Sequence, residues 1–418
     1  MKRRYASLAP GVVVVLLAAC GPAFAAHGGS SAAPDADDPG TTLLPPLPVR
    51  LGEDSPCTGA SDETATGAAW SQTALGLPRA QRISRGAGVT VAVVDTGVAT
   101  DVRSLSGRVT ALDGADQDCV GHGTFTAGLI AAAPETGSGI TGIAPAAEIL
   151  ALRATDDRGV PSVAGVARSI RAAADRGAQV IYVGQALRTG RTELTAATAY
   201  AAKRDALVVA PAAPDAVPRE ELGPDGEMPT GPYWPAAAPG VLAVVDFGPG
   251  GVRQENAPPA HEPDLSAPGS SMVSVGPRGT GHYIGSGASL AAAGAAGAAA
   301  LVRAYEPGSS AAEVTRQLLA TAYPSDTPRL DPYAALSLVR DEQRDEQRGE
   351  GAAAVAEPAA ADFPPPADPG PRDRSLVIAA VGLTVVLLVG AMAAVLPRGR
   401  ARNWLPPGRR ADDASAGR

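Results

Sequence analysis

Short apolar runs alternate with alanine-rich stretches of helical length through the middle of this chain. Residues 89–94, 147–153, 178–183, 207–210 and 240–245 read as strands. Residues 124–133, 162–176 and 192–204 lie between them and read as helices. Strands separated by helices of this length form parallel βαβ units, because a parallel partner is reached only through a crossover. Strands that are apolar throughout belong in a sheet covered on both faces. The expected fold class is α/β, a doubly wound, mostly parallel sheet flanked by helices. Ligands bind such sheets beyond the carboxyl ends of the strands.

The flanks say where such a domain would sit. The chain begins Met-Lys-Arg-Arg, continues with an apolar run over 12–19, and reaches the small residues Ala23-Phe24-Ala25. That order is a secretory signal, assigned to 1–25. A second reading stays open, with Leu17-Ala18-Ala19-Cys20 as a lipobox and Cys20 as the lipidated residue. Residues 375–396 form an uncharged apolar run. At about 1.5 Å rise per residue it spans a hydrocarbon core. Arginines 398, 400, 402, 409 and 410 follow it and mark the cytoplasmic side. The expected organisation is a signal at 1–25, a Pro-rich extension at 26–74 and a catalytic-size domain at 75–338. An acidic Ala/Pro linker at 339–374, a membrane helix at 375–396 and a basic tail at 397–418 complete it. The protein is thus expected in the cell membrane, single-pass, with its domain outside the cytoplasm.

Charge excludes one partner class. The net charge is −8, yet the tail from Pro397 onward holds six arginines against two aspartates, and three positives open the chain, so the body between carries −15. A body that acidic is not a nucleic-acid binder. Three cysteines rule out a disulfide-dense miniprotein. No cofactor is expected, and neither a zinc clip nor an Asp-rich calcium loop stands out.

Chemistry concentrates at three positions. Asp95 directly follows the strand 89–94 and precedes Thr96-Gly97. His122 lies in Gly121-His122-Gly123-Thr124, and Ser289 in Gly287-Ala288-Ser289-Leu290, each where a helical run starts. An amide-rich helix start can stabilise developing negative charge. In the order Asp, His, Ser these positions invite a proton-relay triad: Ser289 attacks, His122 takes its proton and Asp95 holds the imidazole tautomer. The rival reading of Asp95-Thr96-Gly97 is an aspartic protease, which needs two carboxylates sharing one proton. No second Asp-Thr-Gly or Asp-Ser-Gly occurs in the chain.

At these residues the chain resembles the subtilisin-like serine peptidases. The matching blocks run from Val91 through Asp95 to Val98, from Gly121 through His122 to Gly128, from Gly142 to Ala147, and from Gly287 through Ser289 to Ala292. Asp264 to Gly269 is similar to the segment preceding the serine block. The order of signal, Pro-rich extension, peptidase domain, linker, single helix and basic tail resembles the mycosins of type VII secretion systems. That resemblance implies a membrane-anchored extracytoplasmic serine endopeptidase acting on a peptide or protein substrate, with secretion-membrane components as partners. It also implies a disulfide between Cys57 and Cys119, which export to an oxidising space supports.

Two departures bear on activity. The family's Asn-x-Ser cleft strand is here Tyr182-Val183-Gly184. The family's oxyanion asparagine follows a strand matched by 208–213, which places Pro214 in its slot. Proline offers neither a side-chain donor nor an N–H. Asn256 and Asn403 are the chain's asparagines, one in a loop-like stretch and one beyond the apolar run, and Gln185 is a nearby amide. Losing one oxyanion donor from a subtilisin costs about 10²–10³ in kcat. The alternative expectation is therefore a weak or inactive homologue that stabilises a type VII secretion complex.

Overall fold

The structure, a computed structural model, describes residues 43–338 and 370–401. The signal at 1–25, the start of the extension and most of the linker and tail lie outside the described residues. The chain divides into two units, residues 1–340 and 341–418.

The first unit is built on a seven-stranded sheet. Its strands are β1 (Thr90–Asp95), β2 (Val109–Ala111), β3 (Glu148–Arg153), β4 (Val180–Val183), β5 (Leu207–Pro211), β6 (Leu242–Phe247) and β7 (Leu265–Pro268). The order is β2-β3-β1-β4-β5-β6-β7, and every pairing is parallel. From β1 the chain crosses to the edge strand β2, comes back to β3 beside β1, then crosses to β4 and builds the other side. β1 therefore sits at the switch point, and its last residue is Asp95.

Side-chain alternation along β1 divides the core in two. Val91 and Val93 enter the cluster on one face, which holds α3 (His122–Ala131) and α6 (Ala288–Tyr305). Ala92 and Val94 face the opposite cluster, with α4 (Val163–Asp175) and α5 (Arg191–Ala202). α4 shows the amphipathic pattern of a sheet-covering helix, burying Val166, Ile170 and Ala173, and Ser162 caps it by accepting from Gly165 N–H. α6 is different. Its alanines and glycines are buried from Ala288 to Arg303, so it runs through the core rather than over it. It matches a membrane span in length and composition, yet 89% of it is buried; small side chains here let a helix approach a sheet closely, and are no sign of lipid.

The remaining elements carried weaker sequence signals. α1 (Trp70–Ala74), α2 (Leu77–Ile83), α7 (Ala311–Ala320) and α8 (Pro332–Ser337) are short. β8 (Met272–Val275) and β9 (His282–Gly285) form an antiparallel hairpin. The extension runs along that hairpin. Leu47 N–H donates to Ile284 O at 2.8 Å, Ile284 N–H to Pro45 O at 3.0 Å and His282 N–H to Glu63 O at 2.7 Å. Further ties hold the extension, among them Ala65 N–H donating to His282 Nδ1 at 2.9 Å and the disulfide between Cys57 and Cys119.

In the second unit, α9 (Gly370–Ala401) is a 32-residue helix. Its stretch Ala379–Pro397 has a mean hydropathy of 2.5 and is long and apolar enough to cross a membrane. The helix extends past both ends of the apolar run at 375–396, because hydropathy limits what lipid covers and does not limit backbone helicity.

Candidate active site

Three separate elements deliver the site. β1 ends on Asp95, α3 begins on His122, and Ser289 is the second residue of α6. His122 Nδ1 lies 2.9 Å from both Asp95 carboxylate oxygens. His122 Nε2 lies 3.0 Å from Ser289 Oγ. The three sequence-predicted residues are thus adjacent, in the order needed for a proton to pass from the hydroxyl to the imidazole.

Asp95 is held on a rigid frame. Thr96 N–H donates to its Oδ1 at 2.8 Å, and the Tyr182 hydroxyl donates to Oδ2 at 3.3 Å. Burial first, then the Asp95 charge, raise the Tyr182 pKa well above its usual value, so the phenol keeps its proton and remains a donor. Asp118, unremarked in the sequence, ties the Asp95 turn to the His122 helix. It accepts from the Thr96 hydroxyl at 2.8 Å, Gly121 N–H at 2.7 Å, Thr124 N–H at 2.8 Å and the Thr124 hydroxyl at 2.6 Å. The N-cap position of α3 is Gly121, so no capping pattern in the sequence singles out Asp118 three residues earlier.

The side chains of the Tyr182-Val183-Gly184 stretch go to different places. Tyr182 and Val183 are fully buried and enter opposite cores, because strand alternation sends successive side chains to opposite faces. Neither lines the cleft. Gly184, just past the strand, does, together with Gln185 and Ala186. The cleft is a cavity of about 540 Å³ beside His122, and Val49, Arg50 and Leu51 of the extension form part of its wall. A larger hollow of about 780 Å³, lined by Trp70, Phe247 and Tyr323 among others, shares no residue with this site.

The neighbour of Ser289 on this side was not named by the sequence. The side chain that reaches Ser289 belongs to Asp215, one residue after Pro214. Ser289 N–H donates to Asp215 Oδ1 at 2.9 Å. Asp215 Oδ2 lies 2.5 Å from Ser289 Oγ and 3.2 Å from His122 Nε2. Pro214 itself only lines the cavity. Asp215 comes four residues after β5 ends at Pro211, and it meets α6 only through the tertiary fold. Gly287 makes room: a Cβ there would stand 2.1 Å from Asp215 Oδ1. Asn256 is exposed and absent from the cleft wall, so it does not substitute.

Electrostatics follow from this crowding. Burial alone would lower the His122 pKa. The charges of Asp95 and Asp215, with hydrogen bonds to both, overcome it and hold the group well above its usual value. The arrangement can perform nucleophilic acyl transfer when the imidazole is neutral: Ser289 Oγ bonds to a carbonyl carbon as its proton moves to Nε2, and Nδ1–H stays on Asp95. Among the described residues, no group of three His, Cys, Asp or Glu side chains could hold a metal ion.

Comparison with known proteins agrees with this geometry. Residues 86–352 match the Subtilase family model, Peptidase_S8. Mycosin-3 of Mycobacterium tuberculosis is 32% identical over 398 residues, covering 79% of this chain and 84% of the relative. The crystal structure of MycP1 from the ESX-1 type VII secretion system superposes with a TM-score of 0.59 at 27% identity, covering 72% of this chain and 94% of that one. A chain in the periplasmic assembly of the ESX-5 inner membrane complex gives a TM-score of 0.61 at 26% identity, covering 77% and 94%. With a parallel sheet whose inner strand β1 ends on Asp95, and with His122 and Ser289 in the first turns of two helices, the chain belongs to the subtilase family, and within it to the mycosins.

Proposed function

We propose that this chain is a membrane-held, extracytoplasmic serine endopeptidase of mycosin type. Ser289 is the nucleophile, His122 the general base and acid, and Asp95 the carboxylate that orients the imidazole. The observation that carries this reading is the single imidazole within 3.0 Å of both Asp95 and Ser289. The substrate is a peptide entering the cavity bordered by Gly184 and Gln185. The apolar stretch Ala379–Pro397 supports anchoring in a membrane. The arginines after it support a cytoplasmic tail. Relatives found in the ESX-1 type VII system and the ESX-5 inner membrane complex support a secretion-membrane partner.

A fluorophosphonate probe tests the chemistry. Ser289-dependent labelling is expected, and Ser289→Ala abolishes it. No Ser289-dependent labelling from neutral to alkaline pH, in the wild type or in any cleft variant, would sink the reading.

The Asp215 contacts favour a second role beside it, a stabilising partner of a secretion complex with weak turnover. Co-purification with secretion-membrane components after mild detergent extraction should then survive Ser289→Ala. A chain recovered alone from such extracts would count against that role.

A further inference from the structure

We propose that Asp215 is a built-in inhibitor of the Ser289 site, its carboxylate standing where the reacting carbonyl oxygen must go. The inference rests on the hydrolase reading above and adds a resting state to it.

Hydrogen-bond accounting carries the argument. The Ser289 N–H, in the first turn of α6, has no acceptor within its own helix, and it points where an oxyanion would be received. Asp215 Oδ1 already accepts from it at 2.9 Å. Ser289 Oγ carries one proton and faces two acceptors, Asp215 Oδ2 at 2.5 Å and His122 Nε2 at 3.0 Å. A carboxylate has no proton to give, so the hydroxyl donates to Oδ2 and the remaining contact, Nε2 to Oδ2 at 3.2 Å, needs a proton on the imidazole. The site then rests as an imidazolium between two carboxylates. An imidazolium cannot accept the serine proton.

Access points the same way. Ser289 is 0% exposed, and the Asp215 side chain over it is 4% exposed. A substrate carbonyl must displace this carboxylate before it can reach the nucleophile. The room for it is also specific, since any side chain at 287 would overlap Asp215. Acid does not release the block, because a protonated imidazole is no base. The groups facing Asp215 are His122 on α3, with Asp95 and Tyr182 behind it, Ser289 on α6, Arg50 of the extension and Glu220 across the cavity. Among the described residues, His122 and Ser289 are the ones whose polar atoms reach its carboxylate.

Replacing one oxygen by an amide nitrogen should release the site. Asp215→Asn keeps the shape, removes the charge and supplies an N–H donor. The expected result is faster Ser289-dependent fluorophosphonate labelling and peptide hydrolysis, by about 10²–10³-fold. Its labelling should also begin at lower pH than in the wild type, because His122 loses one neighbouring carboxylate. Asp215→Ala removes the charge without adding a donor and should fall between the two. Both gains must vanish in the Ser289→Ala background. Wild type labelled as fast as both folded Asp215 variants overturns the inference while leaving the hydrolase reading intact. No labelling of wild type or either folded variant overturns both. Labelling confined to the variants supports the inhibitor.

Discussion

Gly184 lies so close to Asp95 that a Cβ on it would stand 2.0 Å from Asp95 Oδ2, and 2.9 Å from the Tyr182 hydroxyl. The phenol of Tyr182 fills the space beside the carboxylate, and the missing side chain at 184 accommodates both. Glycine at 184 leaves room for the Asp95 carboxylate and the Tyr182 phenol together. Gly184→Ala should push Asp95 or Tyr182 from its place and cost about 1–3 kcal/mol through overpacking. Urea unfolding of the full chain in detergent checks the stability, and probe labelling of Ser289 should fall with it. Unchanged midpoint and labelling would show that the contact relaxes freely.

The raised His122 pKa sets a pH dependence. The imidazole acts as a base only when neutral, so labelling of Ser289 should rise with pH at values above the ordinary histidine range. The sign for stability is opposite. A folded pKa above the unfolded one favours the folded state fully below the unfolded pKa, and that contribution is lost as pH rises through the folded value. Labelling by pH, with unfolding midpoints at the same pH values, checks both. Labelling that is already flat at mildly acid pH contradicts the carboxylate pair around His122.

Asp118 accepts four hydrogen bonds from Thr96, Gly121 and Thr124. All of its partners donate, so Asp118→Asn turns an amide N–H toward another donor. The expected cost is about 1–3 kcal/mol for each donor left without an acceptor. Because this carboxylate links the Asp95 turn to the first turn of α3, the Asp95–His122 alignment should suffer too. Labelling of folded Asp118→Asn, measured below its unfolding midpoint, is expected to drop well below wild type.

The Cys57–Cys119 bond closes a loop with a sequence separation of 62. By chain-entropy reasoning, opening it costs roughly 4 kcal/mol. Cys57→Ser should therefore lower the unfolding midpoint of the full chain in detergent, and a reductant should do the same to wild type without further affecting the variant. The extension should also loosen, visible as faster hydrogen exchange at Ala65, whose amide is bonded to His282.

The central strands were legible because parallel strands, covered on both faces, are apolar end to end; the runs at 89–94 and 147–153 needed no context to be read. The strand β7 was not legible, since Leu265–Pro268 is short and ends in proline, and its place comes from pairing with β6. α7 carries a readable cap, Ser310 with Glu313, yet nothing in so short a run says which part of the core its apolar face covers. Asp95, His122 and Ser289 were recognisable because glycine-rich turns and helix starts surround them in sequence.

What the amino-acid sequence determined by itself was local: which runs become the central strands and helices, where the apolar helix lies, and which three side chains are candidates for one site. What only the tertiary structure decided was who stands beside them. Asp215, Asp118, Tyr182 and the Val49–Leu51 stretch act on the site across distances of tens to more than a hundred residues along the chain. No periodicity or spacing encodes such neighbours, because burial and hydrogen bonding between elements arise only once the sheet has brought the ends of β1, α3 and α6 together.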